Sequence, residues 1–530
     1  MKNKFSELTN LINMMTATEK RRFSAEYKSG LHSKNAQLPV GLIIFQILGA
    51  MNEFDEAVFY KKLKKAIADP VQLKKVTARL PVERLNLQER LMPFLRSENA
   101  GHYPSMQIKE LLIDAKILLE RGLFDLSQQA LDKAREKALQ YENSMALLEI
   151  NREQRTLLHS RVDTTRTQKA MLAELTKEKE TQFKLLEEEW YYQELYDWTS
   201  FYSNKATGII ENEDVMNRLR QAEPLLDQLD RLPNLSGLRL LGAFSNWANT
   251  RSDKRAFHVF TQLIAQWWEK RPQLIAENPF RYMTNMGNAL STMALNKENE
   301  GFLRLRDKLR KQVALLPHQE LAEFRFVNRL ELSWYLNNKK LDQACLKAKD
   351  IEIGLKKYGA VMPPRLRITT AYNYGVAYFL SGKFEEALAV FSRLKRYKNP
   401  YERRDLQYQA ELLGLICVYE NSVNKNSSHP SEDQGSDPLD SRFRRVNRLF
   451  RRDGLTDASL EMTLLTRHRQ IMYANWDDRK EAVVAMKDCL DQHIRENPGK
   501  EIPGVGEHLA WLGSLAQSKE IRQIYLEMPG

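Results

Sequence analysis

Residues Arg367 to Pro400, RITTAYNYGVAYFLSGKFEEALAVFSRLKRYKNP, leave few ways of folding open. Apolar residues recur at helical spacing on both sides of Ser381-Gly382, a dipeptide that ends one helix and makes a tight turn into the next. Tyr374, Gly375, Tyr378 and Phe379 share one face of the first helix, and Phe384, Ala387, Leu388 and Phe391 line the facing side of the second. Small residues at Gly375 and Ala387 let the two backbones approach while the rings fill the gaps beside them. Helical hairpins of this kind bury their apolar faces by stacking side by side.

Looser copies of the same unit occur elsewhere. Tyr335, Leu341 and Ala344 have the mutual spacing of Tyr378, Phe384 and Ala387, shifted by 43 residues, and Gly122 and Phe124 have that of Gly382 and Phe384. From Gly237 onward, helix pairs are predicted to open near Gly237 and Ser252, Pro279 and Glu298, His318 and Lys340, Pro364 and Lys383, Tyr401 and Asp440, Thr456 and Asp478, and Val505 and Lys519. Their first helices start roughly 40 residues apart, a supersecondary period. On Tyr374, Gly375, Tyr378, Gly382, Phe384, Ala387 and Phe391 the stretch resembles a tetratricopeptide (TPR) repeat, departing at Ala371 and with Pro400 one place late. The resemblance covers about residues 237 to 425, and 105 to 141. It implies an all-α, right-handed α-solenoid; HEAT-like pairs are the structural alternative, because the period exceeds 34 residues.

Along the chain this gives an N-terminal helical cap over 1–104, helical hairpins with a long charged helix over 105–207, and a TPR-like array over 208–420. A polar insertion at 421–441 and C-terminal helical pairs with a cap over 442–530 complete it. In the first segment Thr16-x-x-Glu19 is a capping box ahead of Phe23 and Tyr27, Asp55-Glu56 opens a helix that Asp69-Pro70 stops, and Pro81 and Pro93 punctuate the run from Val71 to Ser97. The long helix, from about Thr164 to Ser203, breaks its heptad near Lys179 and Gln182, so its middle is expected to be solvated or to pair in part with the helix before it. It ends in WYYQELYDWTSFY, seven aromatics from Trp190 to Tyr202, with Tyr191, Leu195, Trp198 and Tyr202 on one face and Trp190 and Phe201 on another. That run is read as a junction between hairpins, with an aromatic recognition surface as the alternative.

Composition narrows the class. The N-terminus lacks an apolar stretch of signal-peptide length, and the most apolar run, Leu38 to Met51, is too short to span a bilayer, so a soluble cytoplasmic protein without a membrane partner is expected. Cys345, Cys417 and Cys489 fit neither a disulfide framework nor a metal site. The nine histidines have no metal-ligand spacing, no nucleotide or hydrolase signature occurs, and neither a cofactor nor catalysis is expected. Glu507-His508 is a lone adjacent pair whose members face different directions on a helix.

Binding residues come from two places. In TPR proteins the first helix of each pair lines a concave groove and its asparagines pin an extended peptide, so the resemblance implies a site at Arg281, Thr284, Asn285, Thr369, Tyr372 and Asn373. Asn285 and Asn373 share an Asn-x-Gly context, and the competing expectation is that they bond neighbouring helices. The second place is RFRRVNRLFRR, where Arg442, Arg444, Arg445, Arg448, Arg451 and Arg452 surround an apolar stripe of Phe443, Val446, Leu449 and Phe450. With the guanidiniums pointing outward, this helix is a solvated face, a site for an acidic protein partner, or a nucleic-acid site. Glu432, Asp433, Asp437 and Asp440 stand ready to pair with them. The excess of 81 basic over 69 acidic side chains, a net charge of +12, permits an acidic partner without requiring one. The reading as a whole is a non-enzymatic protein- or peptide-binding adaptor or scaffold, with polyanion binding and a structural subunit of a larger assembly as alternatives. In the last of these, the terminal helices around Trp511, Leu512, Leu515, Ile521, Ile524 and Tyr525 either cap the array or join copies.

Overall fold

A computed structural model of the 530-residue chain describes residues 2–29, 38–160, 166–204, 210, 212–232, 235–314, 316, 319–394, 403–425, 438–496 and 503–528. Pro400, Tyr401, His318, Glu432, Asp433, Asp437 and most of the polar insertion lie outside the described residues. Every regular element among those described is a helix. They fall into two compact units, Met1–Thr292 and Met293–Gly530.

What joins one helix to the next is a single backbone device used repeatedly. Gly122, Glu142, Ser252, Lys297, Lys339, Gly382, Gly454 and Ser518 all sit in the left-handed region, with φ between 52° and 84°. In each case the amide of the following residue donates to the carbonyl five positions before it, as in Leu123 to Leu118, Asp253 to Ala248, Lys340 to Tyr335 and Lys383 to Tyr378, at 2.8–3.2 Å. That closure satisfies a carbonyl the helix end would otherwise leave open and reverses the chain in three residues. Ser252, Lys297, Lys339 and Gly382 follow one another at 45, 42 and 43 residues.

In the unit Met1–Thr292, helices Lys2–Met14, Ala17–Ser29, Val40–Gly49, Glu56–Ala66 and Pro70–Asn99 close on one core built on Phe5, Phe23, Phe45, Phe59, Leu87 and Phe94. The capping box forms reciprocally: the Thr16 amide donates to Glu19 Oε2 at 2.6 Å and the Glu19 amide to Thr16 Oγ1 at 3.1 Å. Pro81 and Pro93 do not break the chain as the sequence suggested; both lie inside the single helix Pro70–Asn99. Each removes one internal hydrogen bond, and the burial of Leu80, Leu87, Leu91 and Phe94 on one side outweighs the loss.

A second core follows in helices Pro104–Glu120, Phe124–Gln140 and Ser144–Ser160, around Ile108, Leu131, Ala134 and Ile150. The long helix Arg166–Asn204 pairs in part with the helix before it and leaves much of the rest of its middle, Phe183 included, exposed. Asn151 donates to the Leu175 carbonyl at 2.8 Å and to Glu178 at 3.0 Å, and Arg135 pairs with Glu178 at 2.6 Å. Further along, its buried face is Tyr192, Leu195, Thr199 and Tyr202, against which helix Ser236–Thr250 packs. Trp198, expected on that face, is exposed.

In the unit Met293–Gly530 the hairpin of helices Pro364–Leu380 and Phe384–Leu394 turns at Gly382. A Cβ on Gly375 would stand 2.6 Å from the Phe391 ring, so the two helices touch where only glycine fits. Ala387 and Phe391 are buried beside it. Phe324 wedges against Gly354 in the same manner, and there the first helix of its pair widens to an i→i+5 turn over Phe324–Asn328 before continuing as Arg329–Asn337. The terminal pair, Val505–Gln517 and Ile521–Glu527, folds back on helix Pro364–Leu380. Trp511 is fully buried and donates to Glu420 at 2.7 Å, Tyr525 donates to the Leu336 carbonyl at 3.1 Å, and Arg522 pairs with Asp342 at 2.7 Å.

The turn geometry fixes the sign of two substitutions. An L side chain in the left-handed region costs roughly 1 kcal/mol relative to glycine. Gly382→Ala is therefore expected to lower stability by about that amount, and Ser252→Gly and Lys297→Gly to raise it by about 0.5–1 kcal/mol, read as shifts of the urea midpoint at unchanged slope.

Candidate functional site

Each predicted groove trio lies on a single helix in its own unit. On Pro279–Leu295, Thr284 is exposed and its hydroxyl donates to the Phe280 carbonyl at 2.9 Å. Asn285 is half-buried. Arg281 is half-buried as well; burial lowers its pKa against the pull of Tyr196, Glu189 and Asp197, and its Nη1 is enclosed without a hydrogen-bond partner. On Pro364–Leu380, Asn373 donates to Ser333 Oγ at 3.1 Å, a bond to the neighbouring helix Arg329–Asn337. Thr369 accepts from Arg403 at 3.3 Å, and Arg403 also forks onto Asp405. Tyr372 is buried with its hydroxyl unbonded, and burial raises its pKa well above the ordinary range.

The arginine helix, Pro438–Arg452, departs from expectation in one respect. Its guanidiniums do not all point outward: Arg442 is buried, within 3.3 Å of the buried carboxylate of Glu411, which also accepts from Arg445 at 2.9 Å. Burial lowers the Arg442 pKa, and Glu411 opposes that shift. Phe443, Val446 and Phe450 draw the helix inward, and Arg442 next to Phe443 goes with them. Arg444 pairs with Asp440 at 2.5 Å, Arg452 with Asp453 at 3.2 Å, and Arg451 with Asp457. Arg448 is exposed and donates to the Arg444 carbonyl at 3.4 Å.

A concavity opens on the long helix of the unit Met1–Thr292. One face of the long helix, carrying Leu186, Glu189, Trp190, Gln193 and Asp197, forms a wall of a cleft of about 500 Å³. The left-handed turn at Glu142 brings Tyr141, Glu142 and Asn143 to its edge, and Met145 follows on the first turn of Ser144–Ser160. Leu235 and Arg239 close another side, and Leu274, Glu277 and Asn278 a third. Trp190 is 61% exposed and Met145 63%. The opposite face of the same helix is the buried stripe of Tyr192, Leu195 and Thr199, which holds Trp190 out toward solvent. Asp197 accepts from Gln193 at 2.6 Å, Glu277 from the Ser105 amide at 2.8 Å, and the Arg239 guanidinium lies over the Tyr196 ring at 5.9 Å. The lining therefore carries the carboxylates of Glu142, Glu189, Asp197 and Glu277 and the guanidinium of Arg239, and Arg281 also acts on Glu189 and Asp197. Of the cleft's ring and charged residues sequence reasoning singled out only Trp190, through the aromatic run; the acids come from three stretches, Glu142, Glu189 with Asp197 on the long helix itself, and Glu277, which only the fold brings together.

Compared with known protein families, curated proteins and solved structures, the chain matches none. Among the described residues no cluster of histidine, cysteine and carboxylate side chains has metal-binding geometry, and no helix is long and apolar enough to cross a membrane.

His508, which the sequence pairs only with Glu507, meets a distant histidine instead. Its ring stands 4.9 Å from that of His468, and His468 lies 5.4 Å from Trp511; both imidazoles are fully buried. His508 Nε2 is 3.1 Å from Gln409 Oε1, while both His468 nitrogens lack partners. Burial drives His508 down to about 3 from an ordinary 6.5, and lowers His468 well below its ordinary value. Between those limits the unfolded chain binds more protons than the folded one, so the pair's contribution is complete above about pH 6.5 and is lost progressively as pH falls toward 3. His468→Leu is expected to leave neutral-pH stability unchanged or higher and to flatten the loss between pH 6.5 and 4, measured as urea midpoints across that range.

Proposed function

We propose that the chain is a non-enzymatic adaptor that binds a protein or peptide segment, with the hairpins of each unit stacked in a TPR-like manner. The observation that carries this reading is the cleft beside Trp190. A large aromatic and a methionine stand open to solvent at the edge of a concavity of about 500 Å³, within the range of ligand and side-chain pockets. Exposed Trp and Met at a concave edge are the residue types from which binding hot spots are built. The recurring left-handed turns at intervals of 42 to 45 residues support the repeat architecture.

Elsewhere several of the expected binding groups are engaged. Asn373 is bonded to Ser333, the terminal helices cover Pro364–Leu380, and five of the six guanidiniums of the arginine helix face carboxylates, which leaves the polyanion reading with little support. The buried, neutral histidine pair has no access to a substrate.

Affinity purification with the full chain, wild type against Trp190→Ala, tests the reading. A partner that copurifies with wild type at defined stoichiometry and is depleted by Trp190→Ala is the expected result. A partner set unchanged by Trp190→Ala, with a normal melting curve for the variant, would contradict it.

A further inference from the structure

We infer that the guanidinium of Arg329 binds an oxyanion, a carboxylate or phosphate group, on the ridge where helices Arg329–Asn337 and Pro364–Leu380 run side by side. The site lies in the unit Met293–Gly530 and does not depend on the adaptor reading.

The acids near Arg329 along its own chain are all engaged by cations from other helices. Glu320 pairs with Lys357, and Glu323 lies 3.6 Å from Arg310. The buried Glu331 meets Arg310 at 2.9 Å, Lys347 at 3.2 Å and Arg306 at 3.5 Å. No other carboxylate occurs between Gln319 and Asn337. Arg329 itself donates from Nε to the Arg325 carbonyl at 3.4 Å and, among the described residues, forms no ion pair. Its side chain is half-buried, yet Nη1 and Nη2 remain open, unlike the enclosed Nη1 of Arg281. Burial lowers its pKa to about 10 from an ordinary 12.5, and the charge of Arg325 one turn earlier acts in the same direction. An anion that reaches such a group relieves both effects, and the guanidinium fork matches the paired oxygens of a carboxylate or phosphate.

The register of the two helices brings further groups to the same place. Helix Leu341–Tyr358 runs antiparallel to both: Phe324 meets Gly354 and Glu331 meets Lys347 on one side, while Arg367 meets Gly359 and Ala377 meets Cys345 on the other. The outer two are therefore parallel, and the bond from Asn373 to Ser333 aligns them. One turn before that bond on each helix, the half-buried Thr369 comes level with Arg329. One turn earlier again, the exposed Arg365 comes level with Arg325. The acid that approaches Thr369 through Arg403 is Asp405, already held in that arginine's fork. The terminal helix meets this ridge at its other end, where Tyr525 reaches the Leu336 carbonyl. Three arginines and a hydroxyl thus share one stretch of ridge, which repels a cation and suits an oxyanion.

The test follows the thermal midpoint of the full chain as sodium phosphate or sodium acetate is added, against sodium chloride at equal ionic strength. Wild type is expected to show a saturable rise. A rise with phosphate alone assigns the group as phosphate, with acetate alone as carboxylate, and with both as either. Arg329→Gln is expected to raise the apparent Kd at least about tenfold. Arg329→Lys keeps the charge without the fork and should raise it about threefold, and it carries the test should the glutamine variant not fold. Arg448→Gln, which alters an exposed arginine on another helix, should leave the Kd unchanged. No saturable rise in wild type, the same rise in wild type and both Arg329 variants, or an equal loss in Arg448→Gln overturns the inference.

Discussion

The left-handed residue that closes eight of the helix ends among the described residues is the constraint on which the hairpins depend. A helix leaves its last carbonyls without internal partners, and a chain that must reverse at once has to satisfy them within three residues. Bonding the amide after the turn back across five residues does this and sets the next helix antiparallel to the first. Because the same closure recurs at Gly122, Glu142, Ser252, Lys297, Lys339, Gly382, Gly454 and Ser518, these turns share one backbone conformation although their sequences differ. Packing then finishes the work with local solutions: rings against small residues at Gly375 and Phe391, stacked Phe302 and Trp334 at 5.1 Å, Trp511 of the terminal pair buried with its indole on Glu420.

Helix pairs were legible in the sequence because their apolar periodicity is strong and their turns short. The pair around Gly382 announces itself, since glycine is the residue such a turn prefers. Glu142, Ser252, Lys297 and Lys339 hold the same backbone without that marker, so their turns could be placed but their conformation could not be read. The Thr16–Glu19 capping box was readable because both of its bonds are local. Long-range partners were not. Nothing near Arg442 points to Glu411, 31 residues away in the chain, and nothing near His508 points to His468. Pro81 and Pro93 misled for a related reason: local propensity against proline was overridden by a buried face that only the folded core supplies.

The candidate site shows the same division. The aromatic run from Trp190 to Tyr202 was visible, yet which rings turn inward was set by helix Ser236–Thr250, and the buried stripe is rotated from the one periodicity alone suggests. Trp190 stands exposed beside Glu189 and Asp197 of its own helix and beside Glu142 and Glu277 from two other stretches. Structure and binding are coupled through one helix: its inner face anchors the neighbouring hairpin and its outer face forms the cleft wall.

Residue-resolved hydrogen exchange at the turn amides tests the central claim most directly. The amides of Leu123, Asp253, Lys340 and Lys383, each one residue past a left-handed position, should be slowed at least about 100-fold relative to an open loop. Exchange of these amides at the unstructured rate, with the flanking helices still protected, would show that the helices are joined by open hinges and that no common turn sets the geometry of the hairpins.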